Sequence, residues 1–170
     1  QTVLIAAHKY SGAQEIMQRI RYGYELCPDH IRAGVINYNK GSMEFENGSR
    51  IVSTTTTTNT GRGMAISLLY CDEFAFVNAG IAREFWTSIS PTLATGGKAI
   101  VTSTPNSDED MFATLWKQSQ DKFDEHGNEA ELGSNGFHGY TCLWNEHPDR
   151  DEEWKQAELS RIGEERFRRE

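Results

Sequence analysis

Seven residues, Ser67-Leu68-Leu69-Tyr70-Cys71-Asp72-Glu73, constrain this fold more than any other stretch of the chain. A largely apolar run bounded by polar residues reads as a strand of a parallel sheet, because such strands are covered on both faces. Ligands of parallel sheets collect at the carboxyl ends of the strands. Asp72 and Glu73 therefore emerge where a nucleotide would sit. That is the layout of a Walker B motif, in which one carboxylate holds Mg²⁺ and the next orients a water.

The rest of the sequence is compatible with such a sheet. Its 170 residues suffice for one domain with a single core. It is 37% hydrophobic and 25% charged, as soluble globular proteins are. No run of 18 apolar residues is present, so no membrane-spanning helix is expected. The start, Gln1-Thr2-Val3-Leu4-Ile5-Ala6-Ala7-His8, has neither an initiator Met nor a basic leader. It reads as a strand, and the chain reads as cut from something longer at both ends. Cys27, Cys71 and Cys142 are too far apart for a disulfide framework or a zinc knuckle, and a reducing cytoplasmic setting is expected. Net charge is −8, with seven basic and five acidic residues over 1–70 and ten basic and twenty acidic over 71–170. That asymmetry argues against the second half as a broad DNA-gripping surface.

Periodicity places the other elements. Thr2 to Ala7 reads as a buried strand. Gly12 to Leu26 has apolar residues at helical spacing, with Ser11 as the expected N-cap and Pro28 closing the helix. Strand followed by helix suggests an α/β protein. Met43-Glu44-Phe45-Glu46 alternates, Asn47-Gly48 follows, and Arg50 to Thr54 returns, which is a hairpin signal. Five threonines, Thr54 to Thr58, extend the second arm and read as a strand end and loop without direct chemistry. Ile81 to Leu93 is helical in pattern, and Pro91 predicts a kink or an early end. Lys98 to Ser103 is a short strand that breaks at Thr104-Pro105-Asn106. A helix carrying Met111, Phe112, Leu115 and Trp116 follows the acidic Ser107-Asp108-Glu109-Asp110. Residues 120–137 read as an exposed, mobile loop. Tyr140 to Trp144 reads as a last strand, and Asp151 to Glu170 as one charged helix.

Three further features bear on chemistry. Thr102-Ser103-Thr104-Pro105 ends a second strand and, in a parallel sheet, shares an edge with Asp72. Hydroxyls there can sense a γ-phosphate or its water, or else satisfy the backbone. Gly61-Arg62-Gly63 places an arginine on flexible backbone, fit for neutralising charge that develops in phosphoryl transfer, or else forms a turn with a solvated arginine. A phosphate-binding loop, G-x-x-x-x-G-K-[ST], does not occur in the sequence: Gly97-Lys98 is followed by Ala99 and preceded by Thr92 at the first glycine position.

The order of these features resembles the large terminase subunit of tailed bacteriophages, the ATPase that drives DNA into the capsid. The resemblance spans nearly all of the chain. It includes Ala7-His8-Lys9, the helix ending in Glu25-Leu26-Cys27-Pro28, Asn39-Lys40-Gly41-Ser42, the Glu46-Asn47-Gly48-Ser49 hairpin, Arg62-Gly63, the Asp72-Glu73 strand and Thr102-Ser103-Thr104-Pro105-Asn106. It also includes the closing Phe167-Arg168-Arg169-Glu170.

The resemblance implies a three-layer α/β P-loop NTPase fold (RecA/ASCE-like) with a mostly parallel sheet, lacking its N-terminal P-loop strand and helix. Residues 1–150 would form a partial ATPase domain, and residues 151–170 a C-terminal helix leading toward a nuclease-domain linker. The ligands implied are ATP and Mg²⁺. Asp72 would coordinate the metal, Glu73 would activate water, and Thr102, Ser103 and Thr104 would touch the nucleotide and couple hydrolysis to movement. Arg62, eleven residues before Glu73, would reach a neighbouring subunit's ATP. The partners implied are double-stranded DNA, a portal, a small terminase subunit and further copies in a ring, in the host cytoplasm and without a membrane. The segment alone is expected to be inactive. The alternatives are a DExx-type helicase fragment and a non-catalytic assembly module.

Overall fold

The computed structural model describes residues 1–123 and 126–168. The chain divides into two compact units, Gln1–Ser103 and Thr104–Glu170. The first holds a six-stranded sheet built from β1 (Thr2–Ala7), β2 (Val35–Tyr38), β3 (Ser42–Phe45), β4 (Arg50–Thr55), β5 (Leu68–Asp72) and β6 (Lys98–Val101). The strand order is β2-β3-β4-β1-β5-β6. β4, β1, β5 and β6 run parallel, whereas β2 and β3 join antiparallel at one side. The sheet is thus α/β and mostly parallel, as the sequence predicts.

Alternation along β1 distributes the helices over two faces. Gly12, in α1 (Tyr10–Leu26), lies against Ala7, and Ala13 and Met17 of the same helix are buried. On the opposite face Leu4 lies beside Gly61, which also meets Ile89 of α2 (Ala79–Leu93). Phe85 and Ile89 bury the inner side of α2. Helices on both faces explain why β1 and β5 are so apolar: Leu4 to Ala7 are buried on both faces of β1, and Leu69 and Cys71 on one face of β5.

Local chemistry departs from the sequence expectations at several points. α1 begins at Tyr10, so Ser11 lies inside its first turn; Lys9 holds the N-cap position without a side-chain bond. α2 is capped by Asn78, whose Oδ1 accepts from the N–H groups of Gly80 (3.0 Å) and Ile81 (3.4 Å). Pro91 falls in the last turn of α2, and the helix ends two residues later. β2 has no counterpart in the sequence reading; it is a four-residue edge strand that is mostly exposed.

In the second unit, α3 (Met111–Gln120) starts at Asp110, whose carboxylate accepts from Ala113 N–H (2.7 Å) and Ser107 N–H (3.0 Å). The loop after α3 is exposed but anchored: Asn135 Nδ2 donates to Leu115 O at 2.8 Å and Ser134 N–H to Asp121 O at 2.8 Å. Asp124 and Glu125, within that loop, lie outside the described residues. Tyr140 to Trp144 is not a strand. Its β-forming side chains find no neighbouring strand among the described residues, and Glu146 takes their place. The Glu146 carboxylate accepts from Leu143 N–H (2.8 Å) and from the Tyr140 hydroxyl. The expected single helix over 151–170 is two, α4 (Glu152–Ile162) and α5 (Glu164–Phe167), because Gly163 takes φ 82° between them. Trp144, Trp154 and Phe167 gather with ring centroids 6.2 Å apart. Arg169 and Glu170, the last of the predicted lead-in to a linker, lie outside the described residues.

Candidate functional site

Register aligns the carboxyl ends of the parallel strands. Ala7 pairs with Thr55 on one side and Asp72 on the other, and Cys71 pairs with Val101. Asp72 and Thr102 consequently emerge at one edge, as the sequence predicts. Backbone bonds then fasten the two exits together. Thr102 N–H donates to Cys71 O at 2.9 Å, and Phe74 N–H donates to Thr102 O at 3.2 Å. Ser103 Oγ accepts from Ala75 N–H at 3.2 Å, in the 3₁₀ turn Phe74–Phe76.

Between those fastenings sits Glu73, at φ 51° and ψ 43°, the one non-glycine residue with positive φ among the described residues. An L-residue costs on the order of 1–2 kcal/mol there. Phe74 explains how the turn is held. It is fully buried, its ring 6.0 Å from Phe85 and 6.2 Å from Trp86. Its insertion fixes the chain direction on one side of Glu73, and β5 fixes it on the other. Glu73 itself is half-buried, and its carboxylate makes no hydrogen bond or ion pair among the described residues.

Asp72 is half-buried as well. Its Oδ1 lies 3.1 Å from the Tyr70 hydroxyl and 3.4 Å from Thr102 Oγ1. Thr102 Oγ1 also stands 3.1 Å from the Tyr70 hydroxyl and 3.3 Å from Cys71 O. Partial burial above all, with help from the charges of Asp72 and Glu73, raises the Tyr70 phenol above its ordinary value; the hydrogen bond with Thr102 offsets part of this. Tyr70 is the residue that sequence reasoning passed over. The signal was available: period-two alternation sets residue 70 on the same face as residue 72.

Arg62 makes no hydrogen bond or ion pair with the carboxylates of this edge among the described residues. Its neighbour Gly61 lies over Leu4, three residues short of the end of β1, which is about 10 Å along a strand. Gly61 is far from flexible. It is buried at φ 78°, and a methyl there would overlap Ile89 and Leu4. The threonine run holds the same loop. Thr56 Oγ1 donates to Ala7 O at 3.1 Å, and Thr60 Oγ1 donates to Thr55 O at 2.9 Å while accepting from Thr57 N–H at 3.0 Å. Arg62 therefore stands on a rigid turn, exposed, its guanidinium without a hydrogen bond or ion pair among the described residues. Thr104 opens the second compact unit.

The fold defines the class: an α/β domain on a mostly parallel six-stranded sheet, with Asp72 and Glu73 at the carboxyl end of β5. The chain is similar to the Thermus Phage P74-26 large terminase ATPase domain, with a TM-score of 0.71 at 18% identity, covering 99% of this chain and 74% of that one. An arginine-to-alanine variant of that domain gives a TM-score of 0.73 at 19% identity, with the same coverage. At such identities the likeness shows the fold. The family follows from sequence: residues 1–164 match the terminase large subunit family, T4likevirus-type, N-terminal region, and the chain belongs to it. That membership selects the packaging-motor reading over the DExx-type helicase.

Proposed function

We propose that this chain supplies the metal-holding, water-orienting and coupling residues of an ATPase that drives double-stranded DNA into a procapsid. The observation that carries the reading is Glu73. A costly backbone geometry persists beside Asp72, clamped by Thr102 and Ser103, and strain of that kind gathers at functional sites.

The residues present fit Mg²⁺. Among the described residues no three His, Cys, Asp or Glu converge, so no all-protein cage exists. Mg²⁺ is commonly held by one or two carboxylates, with waters and substrate phosphates completing its shell. Asp72 provides one such carboxylate, with Oδ1 engaged by its neighbours and Oδ2 free of hydrogen bonds among the described residues. Bound Mg²⁺ would neutralise charge on the phosphates. Glu73, one residue on and turned by its backbone, holds and orients the attacking water. Thr102 and Ser103 connect β6 to the backbone on both sides of Glu73, so a change at the nucleotide displaces β6 and the chain that follows it through Thr104. Arg62 acts in trans: it is exposed, mounted on an anchored turn and without a hydrogen bond or ion pair among the described residues, which suits insertion into a neighbouring subunit of a ring. The portal and a small terminase subunit complete the assembly in the host cytoplasm.

The sequence contains no P-loop, so hydrolysis is assigned to the protein with a phosphate-binding loop in place, and the segment alone is expected to be inactive. In the full-length protein, Glu73→Gln is expected to lower kcat by about 10²-fold or more while ATP affinity stays within a few-fold. A phosphate-release assay with nucleotide-binding titration checks this. Undiminished turnover in Glu73→Gln would overturn the assignment. No turnover in the unmutated full-length protein would favour the assembly-module reading.

A further inference from the structure

We infer that Tyr70 is a positioning residue for Asp72, and that its hydroxyl links the Asp72 carboxylate to Thr102. The inference rests on the reading of Asp72 as the metal-holding group.

The geometry is a closed triangle. Tyr70 Oη stands 3.1 Å from Asp72 Oδ1 and 3.1 Å from Thr102 Oγ1, and Thr102 Oγ1 stands 3.4 Å from Asp72 Oδ1. A carboxylate only accepts, whereas a phenol or hydroxyl donates one proton and also accepts. Tyr70 therefore donates to Asp72 Oδ1, and Thr102 directs its proton at the Tyr70 oxygen, at Oδ1 or at Cys71 O. Both hydroxyls lie within hydrogen-bond reach of the same carboxylate oxygen, Oδ1. The other oxygen is left to a metal or its water, and the plane of the carboxylate is fixed before any metal arrives. Outer partners of a ligating group act in this way, and removing one typically costs about 10–100-fold in metal affinity or activity.

The link also joins two strands. Tyr70 belongs to β5, and Thr102 directly follows β6. A shift of Thr102 alters the support under Asp72 through the phenol, without any contact to the metal. Tyr70 is half-buried, and Tyr70→Phe keeps its ring while deleting only the hydroxyl.

The test uses the full-length protein with Tyr70→Phe, Thr102→Val, their double variant and Asp72→Asn. Mn²⁺ binding is followed by electron paramagnetic resonance in the presence of ATP, and turnover is followed against Mg²⁺ concentration. Tyr70→Phe is expected to weaken Mn²⁺ binding about 10-fold, and saturating Mg²⁺ is expected to restore most of its turnover; a merely structural role predicts neither. Unchanged Mn²⁺ affinity in Tyr70→Phe, alongside a loss in Asp72→Asn, would overturn the inference and leave the metal reading standing. Unchanged affinity in Asp72→Asn would instead overturn the metal reading. Independently of any metal, denaturant unfolding of the four nucleotide-free proteins Tyr70→Phe, Thr102→Val, double variant and wild type reads the link itself. The two substitutions are expected to be less than additive, and strict additivity would overturn the triangle.

Discussion

Glu73 occupies a backbone region that glycine enters freely and other L-residues enter at a cost of about 1–2 kcal/mol. The backbone cost and the side chain are separable contributions at this position. Two substitutions separate those contributions. Glu73→Ala removes the carboxylate and keeps the strain, whereas Glu73→Gly removes both. Allowing for glycine's larger chain entropy when unfolded, Glu73→Gly is expected to be about 1 kcal/mol more stable than Glu73→Ala in urea denaturation. Greater stability of the alanine variant would show that the left-handed turn is not held in solution.

Among the elements, the Gly61-Arg62-Gly63 turn divides its labour sharply. Gly61→Ala forces a methyl into Ile89 and Leu4 at positive φ, and a loss of about 2–4 kcal/mol is expected. Arg62→Ala touches an exposed side chain and is expected to change stability by less than about 0.5 kcal/mol. Equal losses in thermal or urea melts would contradict the rigid-turn geometry. This contrast also shows what the sequence exposes. β1, β5 and β6 are legible as short apolar runs, and α1, the β3–β4 hairpin, α2 and α3 because one physical period runs through each. β2 is not, since a four-residue, mostly exposed edge strand buries too little to pattern its own sequence. Tyr140 to Trp144 misleads for the converse reason: β-forming residues need a partner strand, which local composition cannot reveal. In the site, Asp72 and Thr102 were placed on one edge from strand ends alone. The anchoring of the Arg62 turn was missed because threonine hydroxyls and a tertiary contact fix it, and neither has a period.

At the scale of the molecule, order is unevenly spread. Every buried apolar residue among those described, apart from Leu115, lies in Gln1–Ser103. Residues 104–170 carry seventeen acidic and eight basic side chains. Little apolar burial and high like charge make for low local stability. Limited proteolysis with trypsin or a glutamate-specific protease is thus expected to cut first after residue 103 and leave a resistant core from the first unit. Equal protection of both units in hydrogen exchange would argue against that ordering.

Cys71 lies between Tyr70 and Asp72, wholly enclosed, and burial pushes its thiol far above the ordinary range. Cys27 and Cys142 are exposed and free. Thiol reagents therefore meet two sulfurs at once and the third only when β5 parts from its neighbours. The chain carries a clock one residue from the carboxylate proposed to hold the metal, and the lag before the third sulfur reacts measures how often that strand comes undone.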